Sequence, residues 1–156
     1  EQIHKNKTIS IYQNDKLYLS YNGTADIYVY FLEKAYQLLQ KDGIASYITS
    51  NKYTRAKYGN NLRDFLLSNV KLLEYIDFNG VKVFENATVD TSIITYQKIK
   101  KNIQTTTKSQ IKDNEFLYCA INNKYKEDDR LIEFVDKKGY QYSQDDLSFE
   151  SFTFSS

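Results

Sequence analysis

Between Thr24 and Ile99 the spacing of apolar residues switches repeatedly between helical and extended, and that alternation restricts the chain to an α/β arrangement. Ile27, Phe31, Ala35, Leu38 and Leu39 recur at three- and four-residue steps. This predicts a helix with that face buried, Thr24 as its N-cap and Gly43 as its stop. The run Ile44 to Thr49 is short, apolar and rich in β-branched and aromatic residues, the pattern of a strand buried in a parallel sheet. A polar, basic loop from Ser50 to Gly59 leads to a second helix with Leu62, Phe65 and Leu66 on one side and Asn60 or Asn61 as cap. Val70 to Phe78 and Thr91 to Ile99 read as two further strands. The connection between them, Asn79 to Asp90, is too short for a crossover helix, so they are expected to pair antiparallel.

The flanks are less patterned. Glu1 to Asn22 holds short polar alternations, loop or weak strand, and Lys98 to Ser109 reads as a linker or exposed hairpin tip. Glu115 to Ile121 is expected to be a strand. Leu131, Phe134 and Val135 predict a short helix with Asp128 or Asp129 as cap and Gly139 as its end. The last stretch, YQYSQDDLSFESFTFSS, shows neither a helix end nor a closing strand.

A chain of 156 residues is long enough to bury a single core, and no apolar run approaches the length that spans a bilayer. No secretory signal is visible at the start. Cys119 is a lone cysteine, read as a small buried side chain, and with His4 it cannot make a disulfide, a tetrahedral zinc site or a nucleophilic triad. The acidic pairs Asp128 and Asp129, and Asp145 and Asp146, fit solvated caps better than metal ligands, so no metal site is expected. A net charge of +1 gives no overall attraction to nucleic acid, and any such binding must come from local clusters. Fifteen tyrosines and nine phenylalanines suit base stacking and a strand-rich core equally.

Three consecutive segments, GTADIYVYFLEKA, YITSNKYTRAKYGNNLRDFLL and IDFNGVKVFENATVDTSII, resemble the second half of the catalytic domain of bacterial adenine-N6 DNA methyltransferases of the restriction-modification type. The resemblance implies the C-terminal portion of a Rossmann-like methyltransferase sheet, a parallel strand plus an antiparallel hairpin with flanking helices, followed by a small α+β extension. On this reading residues 1–22 are a leader from the upstream part of the domain, 23–99 the methyltransferase half, and 100–156 a linker and the start of a target-recognition region. The family's glycine-rich cofactor motif and its Asn-Pro-Pro-Tyr motif lie upstream in such domains, and this chain has no proline. The expectation is therefore S-adenosylmethionine in the full-length protein and none bound to this fragment, which would be inactive alone.

The resemblance also assigns roles. Thr49, Ser50 and Asn51 border the active-site cleft, with a plain strand-capping turn as the alternative. Lys52, Tyr53, Arg55, Lys57 and Tyr58 interleave cations with rings as a DNA-binding loop, the alternative being a solvated basic loop. Phe84 is the ring of the loop before the last strand and would stack on an adenine rotated out of the duplex, unless it is tucked into the core beneath that loop. Double-stranded DNA in the cytoplasm is the implied partner, with an endonuclease domain fused upstream in larger relatives. The Ile44 strand would lack its upstream neighbour, so the fragment is expected to pair with a second copy or to cover that edge with its N-terminal residues. A non-catalytic DNA-binding or specificity module is the competing reading.

Overall fold

The computed structural model describes residues 18–78, 80–85, 89–99, 111–121, 125 and 130–154. Along them run α1 (Tyr28–Leu38), β1 (Ile44–Ser50), α2 (Asn60–Asn69), β2 (Val70–Asp77), β3 (Thr91–Lys98), β4 (Glu115–Ala120), α3 (Leu131–Lys138) and β5 (Tyr140–Ser143). The strands make a mixed five-stranded sheet in the order β1-β3-β2-β4-β5. β2 and β3 form the expected antiparallel hairpin, and β4 adds to the far side of β2 in parallel.

β1 departs from its expected surroundings. It hydrogen-bonds β3 in antiparallel register, Ile48 opposite Ile93, and stands at the edge of the described sheet with Ile44 and Ile48 exposed. β1 still runs in the same direction as β2, because both oppose β3. An apolar run thus marks a strand without saying which neighbours it has.

The first helix forms with a different face inward. Val29, Tyr30, Leu32 and Glu33 are buried, while Ile27, Phe31 and Leu38 are 53%, 50% and 74% exposed. Ala35 and Leu39 do lean on the core. The sequence YVYFLEKAYQL is apolar on several sides, so periodicity alone does not select one. Thr24 is not the cap: its amide and hydroxyl both donate to Asn22 Oδ1, at 3.0 and 2.8 Å, in a turn ahead of the helix. At the other end Asp42, not Gly43, takes the left-handed conformation (φ 62°). Lys98 Nζ donates to the carbonyls of Tyr36 and Leu39, at 3.0 and 2.8 Å, satisfying the last turn.

α1 and α2 cover one face of the sheet, over a core that includes Leu32, Leu62, Phe65, Leu66, Tyr96 and Phe152. The opposite face carries a smaller cluster of Ile76, Phe78, Cys119 and Ile121 against Val135 of α3. Cys119 is buried as expected. Neither Asn60 nor Asn61 caps α2, where Gly59 holds the N-cap position. The residues expected to cap α3, Asp128 and Asp129, lie outside the described residues, as does His4.

The segment beyond residue 111 extends the same sheet rather than standing apart from it. The tail that showed no closing strand contributes β5, antiparallel to β4. β2 has a bulge between Leu72 and Glu74, and two buried amides satisfy the backbone there. Gln144 Oε1 accepts from Leu72 N (3.0 Å) and Asn114 Nδ2 (2.8 Å), while Gln144 Nε2 donates to Val70 O (3.0 Å). Phe154 stacks on Tyr75 and Tyr118 at ring separations of 4.8 and 4.4 Å, closing that end of the core.

Candidate nucleic-acid interface

The ends of β1 and β2 and the start of β3 meet at one edge of the sheet, because Ser50 pairs with Thr91 and Asp77 with Ser92. Two loops leave from that edge, 51–59 after β1 and 78–90 between β2 and β3. Their bases are joined, Asn51 N donating to Asp90 O (3.0 Å), and the second loop is closed on itself where Phe78 N donates to Thr91 O (2.9 Å). Asn51 Nδ2 also donates to Asp77 Oδ1 at 2.9 Å, tying the end of β1 to the end of β2 across β3. Loops and strand ends at the carboxyl edge of α/β sheets are where ligands bind, since free backbone groups collect there.

Thr49 and Ser50 are half-buried at this edge, and Asn51 is buried. Ser50 Oγ accepts from Lys52 N (3.3 Å), so the serine caps the short 3-10 turn Asn51–Thr54. The turn reading of these residues is therefore present in the structure, at the strand-end edge of the sheet.

Loop 51–59 sorts the expected DNA-binding residues by position. Lys52, Arg55 and Lys57 are exposed. Tyr58 is half-buried, its hydroxyl 2.9 Å from that of Tyr28 on α1, which anchors the loop to the helix. Tyr53 does not join them: its ring is 0% exposed in the main core, where burial pushes its hydroxyl pKa well up and keeps it neutral. A side chain so enclosed cannot reach a ligand outside the fold.

The second loop turns at Gly80, whose φ of 81° suits only glycine well and whose amide donates to Asp90 Oδ1 (3.2 Å). Phe84 is 45% exposed and belongs to neither core cluster of the described residues. Asn86, Ala87 and Thr88 lie outside the described residues. Among the described residues no three His, Cys, Asp or Glu side chains gather as a metal site, and Asp145 is paired with Lys112 at 3.8 Å.

Arg63, which the sequence reading passed over, organises loop 51–59 from beneath. It is 0% exposed, and its guanidinium reaches backbone on both sides. Nη1 donates to Tyr53 O and to Ala56 O (3.0 Å), Nε to Phe149 O (2.7 Å), and Nη2 to Glu150 O (2.6 Å) and Asn60 Oδ1. Burial lowers its pKa, yet the ring of acceptors suits the charged fork. Gly59 makes room for this arrangement, since a Cβ there would lie 2.1 Å from Tyr53 O and 2.7 Å from Arg63 Nη1. The available signal was the placement of Arg63 three and four residues before Leu66 and Leu67, which puts a cation on an apolar stripe.

Residues 1–84 match the family described as Eco57I restriction-modification methylase. The chain is similar to the type II methyltransferase M.BstVI of Geobacillus stearothermophilus, 34% identical over 71 residues that cover 46% of this chain and 13% of that protein. It is similar to the type II methyltransferase M.BanIII of Aneurinibacillus aneurinilyticus at 32% over 84 residues, covering 54% and 14%. Similarity to the type II restriction enzyme and methyltransferase RM.Eco57I of Escherichia coli is 32% over 92 residues, covering 59% and 9%. The chain thus spans only a small part of each relative. Among solved structures, the type IIG restriction endonuclease BpuSI aligns with a TM-score of 0.49 at 21% identity, covering 74% of this chain and 13% of that one. The M protein of the type I restriction enzyme EcoKI aligns at 0.47 and 15% identity, covering 65% and 23%. With more than half of its length matched by the family model, the chain belongs to the Eco57I restriction-modification methylase family.

Proposed function

We propose that the chain is the carboxyl-terminal part of the catalytic domain of an S-adenosylmethionine-dependent DNA adenine-N6 methyltransferase, and that it supplies the surface that meets DNA and holds the target base. The observation that carries this reading is the junction of the two loops: a ring that the fold leaves outside its cores, Phe84, and three exposed cations stand on loops fixed to each other through Asn51. An amine methylated within a duplex must first leave the stack, and an exposed aromatic face is what such a base rests on. Lys52, Arg55 and Lys57 meet backbone phosphates, which position the duplex without reading its sequence. Thr49, Ser50 and Asn51 line the border of the cleft. Tyr58 shapes the loop through Tyr28, and Tyr53 acts from inside by holding it.

Among the described residues no glycine-rich turn offers a cofactor cradle. Gly43, Gly59 and Gly139 are crowded by their own neighbours, while the two roomier glycines, Gly23 and Gly80, sit apart, in the turn ahead of α1 and on the hairpin loop. S-adenosylmethionine, the methyl donor, is accordingly assigned to the upstream part of an intact enzyme that contains this chain, and no methyl transfer is expected from the chain alone. An endonuclease within the same polypeptide is part of the reading, supported by the similarity to RM.Eco57I, as is action on DNA in the cytoplasm.

The fold supports an upstream strand. α1 and α2 share one sheet face, so on this reading a strand preceding α1 and parallel to β1 would lie on the side of β1 away from β3, as right-handed crossovers require. Among the described residues that edge of β1 is unpaired, and on this reading it pairs with a second copy of the chain or with the N-terminal residues.

Binding of the full chain to duplex DNA, followed by fluorescence anisotropy across a salt series, tests the DNA-facing role. Lys52→Gln, Arg55→Gln and Lys57→Gln are each expected to weaken binding on any sequence and to reduce the slope of log affinity against log salt by about 1. A wild-type chain that does not bind at low salt, or binds with an unchanged slope in all three variants, would remove the loop from the interface.

A further inference from the structure

Loop 51–59 has lost one of its two expected rings to the core, and the structure brings another to its side. Residues 147–154 run along the loop and are fixed to it at two points: Phe152 N donates to Thr54 O (2.9 Å), and the Arg63 fork bridges Tyr53 and Ala56 on one side to Phe149 and Glu150 on the other. In this strap Leu147 and Phe152 point into the core, whereas Phe149 is 48% exposed and belongs to neither core cluster. An exposed phenylalanine held by its own carbonyl beside a loop bearing Lys52, Arg55 and Lys57 combines the two elements of nucleic-acid binding surfaces, cations for the backbone and a π-face for sugars and bases.

We propose that Phe149 is a DNA-contacting residue and that Arg63 is the positioning residue that sets it against the basic loop. The inference rests on the reading that loop 51–59 meets DNA, and adds to it a contact 65 positions beyond Phe84 in the chain. Because a ring contributes through stacking and a lysine through counterion release, the two leave different marks on salt dependence.

The test is anisotropy of a labelled duplex titrated with the full chain at several salt concentrations. Phe149→Ala is expected to weaken binding about fivefold or more at every salt, the lower end of what one stacked base contributes, with the salt slope unchanged. Phe149→Tyr should retain wild-type affinity, and Phe149→Leu, apolar without a π-face, should lose as much as alanine. Arg63→Lys keeps the charge but not the fork, and should cost less in the Phe149→Ala background than in the wild type. The proposal is overturned if wild type binds and Phe149→Ala stays within about twofold of it, or if leucine serves as well as phenylalanine, which would mark a plain apolar contact. Additive losses in the double variant would overturn the role of Arg63; should Arg63→Lys not fold, the Phe149 series decides alone. A wild type that does not bind overturns the DNA reading itself, and this inference with it.

Discussion

Arg63→Ala is expected to destabilise the chain by at least about 3 kcal/mol, measured as the fall in unfolding free energy in urea. The guanidinium donates to four backbone carbonyls and one side-chain oxygen. Alanine would leave these acceptors in a pocket from which the whole arginine is excluded from solvent. Each buried acceptor left unsatisfied costs about 1–3 kcal/mol, and local opening to water relieves part of the total. A domain of ordinary stability has only about 5–15 kcal/mol in all, so the variant would lie near the limit of folding. The loss should be regional before it is global: amides of 51–59 and of the 149–154 strap should exchange faster together, while those of β2 and β3 follow the overall stability. A cost below about 1 kcal/mol would mean that the carbonyls find other partners and that the fork is dispensable.

Gly59→Ala should cost about 2–3 kcal/mol for a different reason. The backbone at Gly59 is ordinary (φ −78°, ψ −8°), so the penalty does not come from the dihedrals. It comes from space: the added carbon would stand 2.1 Å from Tyr53 O and 2.9 Å from Tyr53 C, and a neighbour made of backbone cannot swing aside as a flexible side chain does. Relief requires the loop to lift from Arg63, which breaks the same contacts that Arg63→Ala deletes. The two substitutions should therefore be strongly non-additive, the double variant losing little more than Arg63→Ala alone. Equal and independent costs would show that the glycine serves something other than the fork.

These two residues also show where a sequence stops being legible. The β2–β3 hairpin could be read because a connection from Asn79 to Asp90 leaves room for no other pairing. β1, α2 and α3 could be read from spacing and punctuation. The face of α1 could not, because Tyr28 to Leu32 offers apolar side chains in every direction and the sheet beneath selects among them. Nor could the antiparallel pairing of β1 with β3, since an apolar run records burial and not the direction of the neighbouring strand. At the proposed interface, Phe84 and the three cations were legible as residues in polar loops. Tyr53 and Tyr58 were indistinguishable by composition, and what separates them is tertiary: Tyr53 lies in the core, its carbonyl held by the buried arginine beside the glycine. Phe149 was not legible at all, because its place depends on a hydrogen bond to Arg63 across 86 residues.

The central claim is that this family member presents the surface on which an extruded adenine rests, and transfer of labelled methyl from S-adenosylmethionine to duplex DNA by the intact enzyme containing this chain tests it most directly. Wild type is expected to place the label on adenine N6, and Phe84→Ala, with its exposed and poorly packed site, to reduce the rate about tenfold or more while unfolding at the same urea concentration. Label on cytosine, no label on DNA, or a Phe84→Ala enzyme as fast as wild type would contradict the account.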